Sequence, residues 1–223
     1  MVWWQSLAIL ARHPVATVAP ALILGPLSEA PHLLSTDRSY FEEVVVFTVE
    51  ALVFYLYVAY AERLTSEARS NSRPIPALRV LRNLALAAPV VPIVAFSSLA
   101  AIALPTAAAS VLVIPGIWLM TRWSLFAPAI VSEHLGPVAS LKRSNDLVKG
   151  NFELVFLTAA LAVVLEEAFE SAGTLTGLVL TGSETWGQWL GGSVGTIIIL
   201  PAASFATALV YGYLRRAEDR ARS

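Results

Sequence analysis

Residues Pro115 to Phe152 read PGIWLMTRWSLFAPAIVSEHLGPVASLKRSNDLVKGNF, and their chemistry decides what kind of molecule this is. An apolar run is interrupted by Pro115-Gly116 and leaves through Pro128 into Ser132-Glu133-His134. It holds one arginine, Arg122, among Trp118, Leu119, Met120, Trp123, Leu125 and Phe126. A basic amphipathic segment follows, and after Gly150-Asn151 a second long apolar run begins. An arginine in such surroundings is costly in lipid unless it is paired or faces a wet cavity. The stretch reads as membrane-embedded chain with a polar demand at its centre.

The composition agrees. Of 223 residues, 57% are hydrophobic and 14% charged, and the mean hydropathy is +0.68. Soluble domains carry roughly 25% charged residues. A net charge of -1 and the lack of a dense basic face argue against nucleic acid as a partner. With no cysteine, disulfides, thiolate metal sites and a cysteine nucleophile are excluded. No H-E-x-x-H, phosphate-cradling glycine loop or nucleotide fingerprint occurs, so neither metal nor cofactor is expected.

The fold class this implies is an all-α integral membrane protein, a single membrane domain over 1–223. Six transmembrane helices are expected in three hairpins, each hairpin preceded by a short cytoplasmic interfacial helix. The spans fall near 15–34, 44–61, 83–104, 107–131, 152–172 and 189–214, and the interfacial helices near 1–12, 75–82 and 137–149. Each long run covers a hydrocarbon core of about 30 Å. The first loosely imitates a cleavable secretory signal but reads as a retained span bent by Pro20 and Pro26. A Gly/Thr-rich loop is expected between the last two spans, and a charged tail after Leu214.

Orientation follows from lysine and arginine. Arg12, Arg63, Arg69, Arg73, Arg79, Arg82, Lys142, Arg143, Lys149, Arg215, Arg216, Arg220 and Arg222 fall on one side, and Arg38 alone on the other. The positive-inside rule then places both termini in the cytoplasm of a multi-pass plasma-membrane protein. A repeat at an offset of 71 residues pairs Leu7 with Leu78 and Glu62-Arg63-Leu64 with Glu133-His134-Leu135.

The central stretch resembles a family of bacterial and archaeal integral membrane proteins. It includes the YciC-like proteins and the membrane domain fused to some glycerophosphoryl diester phosphodiesterases. The matching residues are Pro115-Gly116-Ile117, Arg122-Trp123-Ser124-Leu125 with Ala127-Pro128, Glu133 with Gly136, and Leu141-Lys142-Arg143-Ser144. Leu147-Val148-Lys149-Gly150-Asn151-Phe152 complete the match. Family members often carry tryptophan where this chain has Asn145, and an aromatic where it has Glu153. The resemblance implies a six-span membrane architecture and carries no assigned activity.

Arg122 needs an acceptor. Counting from Glu62 and Glu133 as cytoplasmic boundaries, Glu50 and Arg122 sit about 17 Å deep, and Glu166 at about 21 Å along the fifth span reaches that level. Glu50, Arg122 and Glu166 are therefore the candidate buried polar site, with Arg122 expected to contact a carboxylate. Glu167 and Glu170 are weaker candidates for cation or proton binding, and read better as residues emerging at the outer interface. In 137–149, Val138, Leu141, Asn145 and Val148 recur at helical spacing, an amphipathic pattern. Lys142, Arg143 and Lys149 are then expected toward lipid headgroups. Pro115-Gly116 could split the fourth span into half-helices.

Gly191-Gly192-Ser193-Val194-Gly195 matches the serine-nucleophile pattern G-x-S-x-G. The available bases, His13, His32 and His134, all lie outside the spans, and Gly187, Gly191 and Gly195 at spacing four read better as a helix-packing face. The sequence favours a non-enzymatic membrane protein that transports, senses or scaffolds around a polar pocket. The alternative is a membrane-embedded enzyme or accessory domain acting on a lipid or glycerophosphodiester substrate. Membrane lipids are the expected partners, together with a protein docked at the cytoplasmic face, and a homo-oligomer is compatible with the pattern.

Overall fold

The computed structural model describes residues 2–28, 40–67, 82–84, 86 and 106–223, and within them the side chains outside 27, 28, 40–48, 66, 67, 106–114, 170 and 184. These residues form helices joined by short turns, without a strand among them. Eight helices are described: α1 Val2–Arg12, α2 Pro14–Ser28, α3 Tyr40–Glu67, α4 Thr106–Trp123, α5 Phe126–Glu133, α6 Pro137–Val148, α7 Phe152–Thr181 and α8 Glu184–Arg222.

Proline and glycine set most of the boundaries. Pro14 occupies the first position of α2, where its missing N–H costs nothing, and α1 and α2 meet there at 97°. Pro128 sets the next break. Because α5 begins at Phe126, Pro128 lies in its first turn, where no intrahelical donor is needed. A helix running on from α4 would instead have left the Ser124 carbonyl without its donor. Gly136 caps α6 ahead of Pro137, and Gly182, at φ 68°, ends α7 in the left-handed conformation that glycine adopts most cheaply. Ser183 then caps α8 by accepting from the Trp186 N–H.

The short helix α5 is the centre of the molecule. Phe126, Ala127, Pro128, Ala129, Ile130 and Val131 are all buried. On one side they meet Tyr55, Val58 and Ala59 of α3 together with Leu84. On the other, Leu125 and Ala129 meet Leu147 and Val148 of α6, Val155 of α7, and Val210, Tyr211 and Leu214 of α8. A third cluster joins Ala21 of α2, Val53, Tyr57 and Ala61 of α3, and Leu200, Phe205 and Ala208 of α8.

Two further contacts fix the helix pairs. Pro20 has no N–H for the carbonyl of Ala16, and the Tyr60 hydroxyl supplies the missing donor from α3 at 2.8 Å. Tyr57 likewise donates to the Thr17 carbonyl. Between α7 and α8 the contact is glycine on glycine. A Cβ at Gly173 would lie 2.3 Å from the Gly191 Cα, and one at Gly177 would lie 2.5 Å from the Gly187 Cα. Two of the three glycines expected to pack, Gly187 and Gly191, therefore do so, against partners on the helix before.

Several expectations are corrected. The span near 152–172 extends to Thr181, so the Gly/Thr-rich segment is helix and only Gly182-Ser183 turns the chain. α8 runs without a break from Glu184 to Arg222, and the charged tail is its last turns. The fourth span breaks at Ser124-Leu125, whereas Pro115 sits inside α4. The six-span hairpin architecture is not reproduced among the described residues. One helix, within Thr185–Arg222, is long and apolar enough by itself to cross a membrane, or two are if the bent pair α1 and α2 counts as one. The physical reasons are local: α2 is only 15 residues long and sharply bent from α1, and α7 gathers Glu166, Glu167 and Glu170 at its middle. Most of the expected span 83–104, and most of the expected interfacial helix 75–82, lie outside the described residues.

Candidate functional site

Polar groups gather at the two ends of α5. At its start, Ser144 of α6 repairs the break. Its hydroxyl donates to the Arg122 carbonyl at 2.7 Å and accepts from the Leu125 N–H at 3.1 Å. One small side chain thus satisfies an orphaned carbonyl at the end of α4 and an orphaned N–H before α5. The next residue, Asn145, holds the side chain of Arg122: Nη1 donates to Oδ1 at 2.8 Å. The guanidinium lies over the Trp118 ring, 4.0 Å from its centroid. Arg122 falls in the last turn of α4, where the helix dipole favours a cation.

At the other end, Glu133 is the hub. Arg143 Nε donates to both of its carboxylate oxygens at 2.9 Å. The buried Tyr211 hydroxyl donates to Oε1 at 2.7 Å, and Arg215 Nε stands 3.9 Å away. Arg143 also reaches Glu218 at 2.7 Å. The hydrogen bond to Glu218, assisted by Glu133, holds the Arg143 guanidinium further above its already high range. The bond from Arg143 holds the Glu218 carboxyl below its ordinary value. Beside this cluster, Glu62 of α3 is buried and accepts from the Ser132 hydroxyl. Glu62 therefore borders the same polar cluster that Glu133 centres.

The expected site residues are distributed differently. Arg122 bonds to an amide, and neither Glu50 nor Glu166 forms an ion pair with it among the described residues. Glu50 is half-buried on α3, Glu166 and Glu167 lie on the exposed part of α7, and the Glu170 side chain is outside the described residues. The depth count that grouped them took Glu62 and Glu133 as solvent-facing ends of unbroken helices. Both are instead drawn into interhelical contacts, and the fourth span breaks two residues after Arg122.

Arg143, expected among lipid headgroups, is turned inward onto two glutamates, whereas Lys142 and Lys149 are exposed. The buried face of α6 is Ser140, Ser144, Leu147 and Val148, and Val138 is exposed. Ser193 is buried and its hydroxyl has no hydrogen-bond partner among the described residues. His13 and His134 are exposed, and His32 lies outside the described residues. No group of three or more metal-ligating side chains assembles among the described residues.

Tyr211 and Glu218 are not among the sequence candidates, and Ser144 and Asn145 enter the sequence reading only within the resemblance and the helical stripe, not as partners of Arg122. A signal existed for two of them: Tyr211, Leu214, Arg215 and Glu218 recur at i, i+3, i+4 and i+7, a single face of α8. Ser144 carried none, because its role depends on a break in another helix. Comparisons of the chain with family models, with curated proteins and with solved structures find no match.

Proposed function

We propose that the chain is a six-span plasma-membrane protein with both termini cytoplasmic, and that its role is non-enzymatic, a helical scaffold whose buried charges lock its helices together. One observation carries the membrane reading. Along α7, Leu157, Val164, Leu175 and Val179 are between 63% and 85% exposed. Leaving such side chains in water forfeits about 1.5–3 kcal/mol each, and a contiguous apolar face of this kind marks contact with lipid or protein. The scaffold reading is supported by Glu133, Arg143, Tyr211 and Glu218, which are committed to one another. The resemblance of Pro115–Phe152 to the YciC-like membrane proteins is in keeping with the membrane reading.

The charge asymmetry supplies the test. In intact cells, cysteines introduced as Asp37→Cys and Glu184→Cys are expected to react with an impermeant maleimide. Cysteines introduced as Ser70→Cys and Arg220→Cys are expected to be protected until the membrane is opened. Labelling at position 70 from outside would overturn the topology.

A further inference from the structure

We propose that Arg122, presented between Trp118 and Asn145 and flanked by Lys142 and Lys149, binds the phosphate of an anionic lipid headgroup. The chain treats its two interior arginines differently. Arg143 meets two carboxylates, whereas Arg122 meets a neutral amide and an aromatic face. Asn145 is itself oriented by its Nδ2, which donates to Asp146 Oδ1 at 3.5 Å. The guanidinium is therefore held in place but not neutralised by any described residue, and its buried Nε has no partner among them.

An arginine left charged in apolar surroundings requires an anion. The placement indicates which kind. Lys142 lies one turn before Asn145 on α6, Lys149 caps the helix one turn after it, and both are exposed. Three cations thus gather around Asn145, Arg122 by direct contact and the two lysines one turn to either side along the chain. Trp118 under the guanidinium and its neighbour Ile117, each 43% exposed, add apolar surface. A planar guanidinium with free N–H groups matches phosphate oxygens, and basic clusters at the cytoplasmic face select anionic lipids. An acyl chain along Trp118 and a phosphate on Arg122 satisfy both the apolar surface and the charge.

This inference rests on the membrane reading, and the experiment separates the two. The full chain is reconstituted into nanodiscs of phosphatidylcholine with or without phosphatidylglycerol, and its thermal midpoint and co-purifying lipid are measured, the latter by native mass spectrometry. Phosphatidylglycerol is expected to raise the midpoint and to be retained in preference to phosphatidylcholine. K142A with K149A, both at exposed positions, should weaken that preference by about fivefold per lysine. R122Q should abolish it, and R122K should restore part of it. Stabilisation of the detergent-solubilised protein by inorganic phosphate to the same extent would overturn the lipid assignment in favour of a free anion. Equal retention of the two lipids by the wild type, or an unchanged preference in both variants, would overturn the site. Failure of the protein to enter nanodiscs at all would instead overturn the membrane reading.

Discussion

Arg143 shows how a single residue changes meaning once the chain is folded. Its spacing on an amphipathic segment points it to lipid, yet it joins Glu133 and Glu218 across three helices. Removing it strands two carboxylates that are each only partly solvated, so Arg143→Ala should cost about 1–3 kcal/mol, less than for a fully buried pair. The pH dependence has a definite sign. Glu218 is held below its ordinary value, so its contribution is present at neutral pH and fades as acid protonates it through the lowered value. Glu218→Gln should therefore be less stable than the wild type at pH 7, with the difference shrinking on acidification. Thermal midpoints of both proteins in detergent across that range would check it, and a difference that grows in acid would contradict it. Arg143 carries the opposite sign and loses its contribution only in strong alkali.

At the scale of elements, the break between α4 and α5 and the close approach of α7 to α8 follow different rules. The break is legible in Pro128, given that α5 starts two residues before it. The site of the break was nonetheless expected at Pro115-Gly116, because proline tolerance depends on which carbonyls can find other donors, and Ser144 supplies the bonds at Ser124-Leu125 from another helix. The α7–α8 hairpin is clearer, since Gly187 and Gly191 carry the helical spacing of a packing face. A Cβ at Gly191 would lie 2.3 Å from the Thr174 backbone nitrogen, and backbone cannot give way as a side chain can. Gly191→Ala should therefore push the hairpin apart and lower stability by about 1–3 kcal/mol or more. Gly136→Ala, where a Cβ meets nothing within 4 Å, should lose only the N-cap preference of glycine over alanine, about 1 kcal/mol or less. Thermal denaturation of both variants in detergent compares them directly. Equal effects would remove the close glycine contact from the account.

For the molecule as a whole, the outward face of α7 distinguishes lipid from water. Val164 is 63% exposed. In a protein surrounded by water, Val164→Lys would be neutral or would improve solubility. In a bilayer, a lysine near the middle of a helix costs about 2.5–3.5 kcal/mol of insertion. The expected outcome is a marked loss of membrane-inserted protein, read from the membrane fraction of expressing cells. Unchanged insertion would turn that face toward protein or water.

The sequence by itself determined the helical class and the apolar character of the chain, because both depend on composition and on local proline and glycine chemistry. It also marked the residues whose charge demands a partner, Arg122 first among them. It could not assign those partners. Asn145 beneath Arg122, Ser144 across the helix break, and Tyr211 and Glu218 around Glu133 and Arg143 are separated in sequence by 19 to 78 residues. Their contacts exist only because α5 is enclosed by α3, α6, α7 and α8. Burial decides which charges are neutralised inside and which stay available, and burial is a property of packed helices rather than of residues in order.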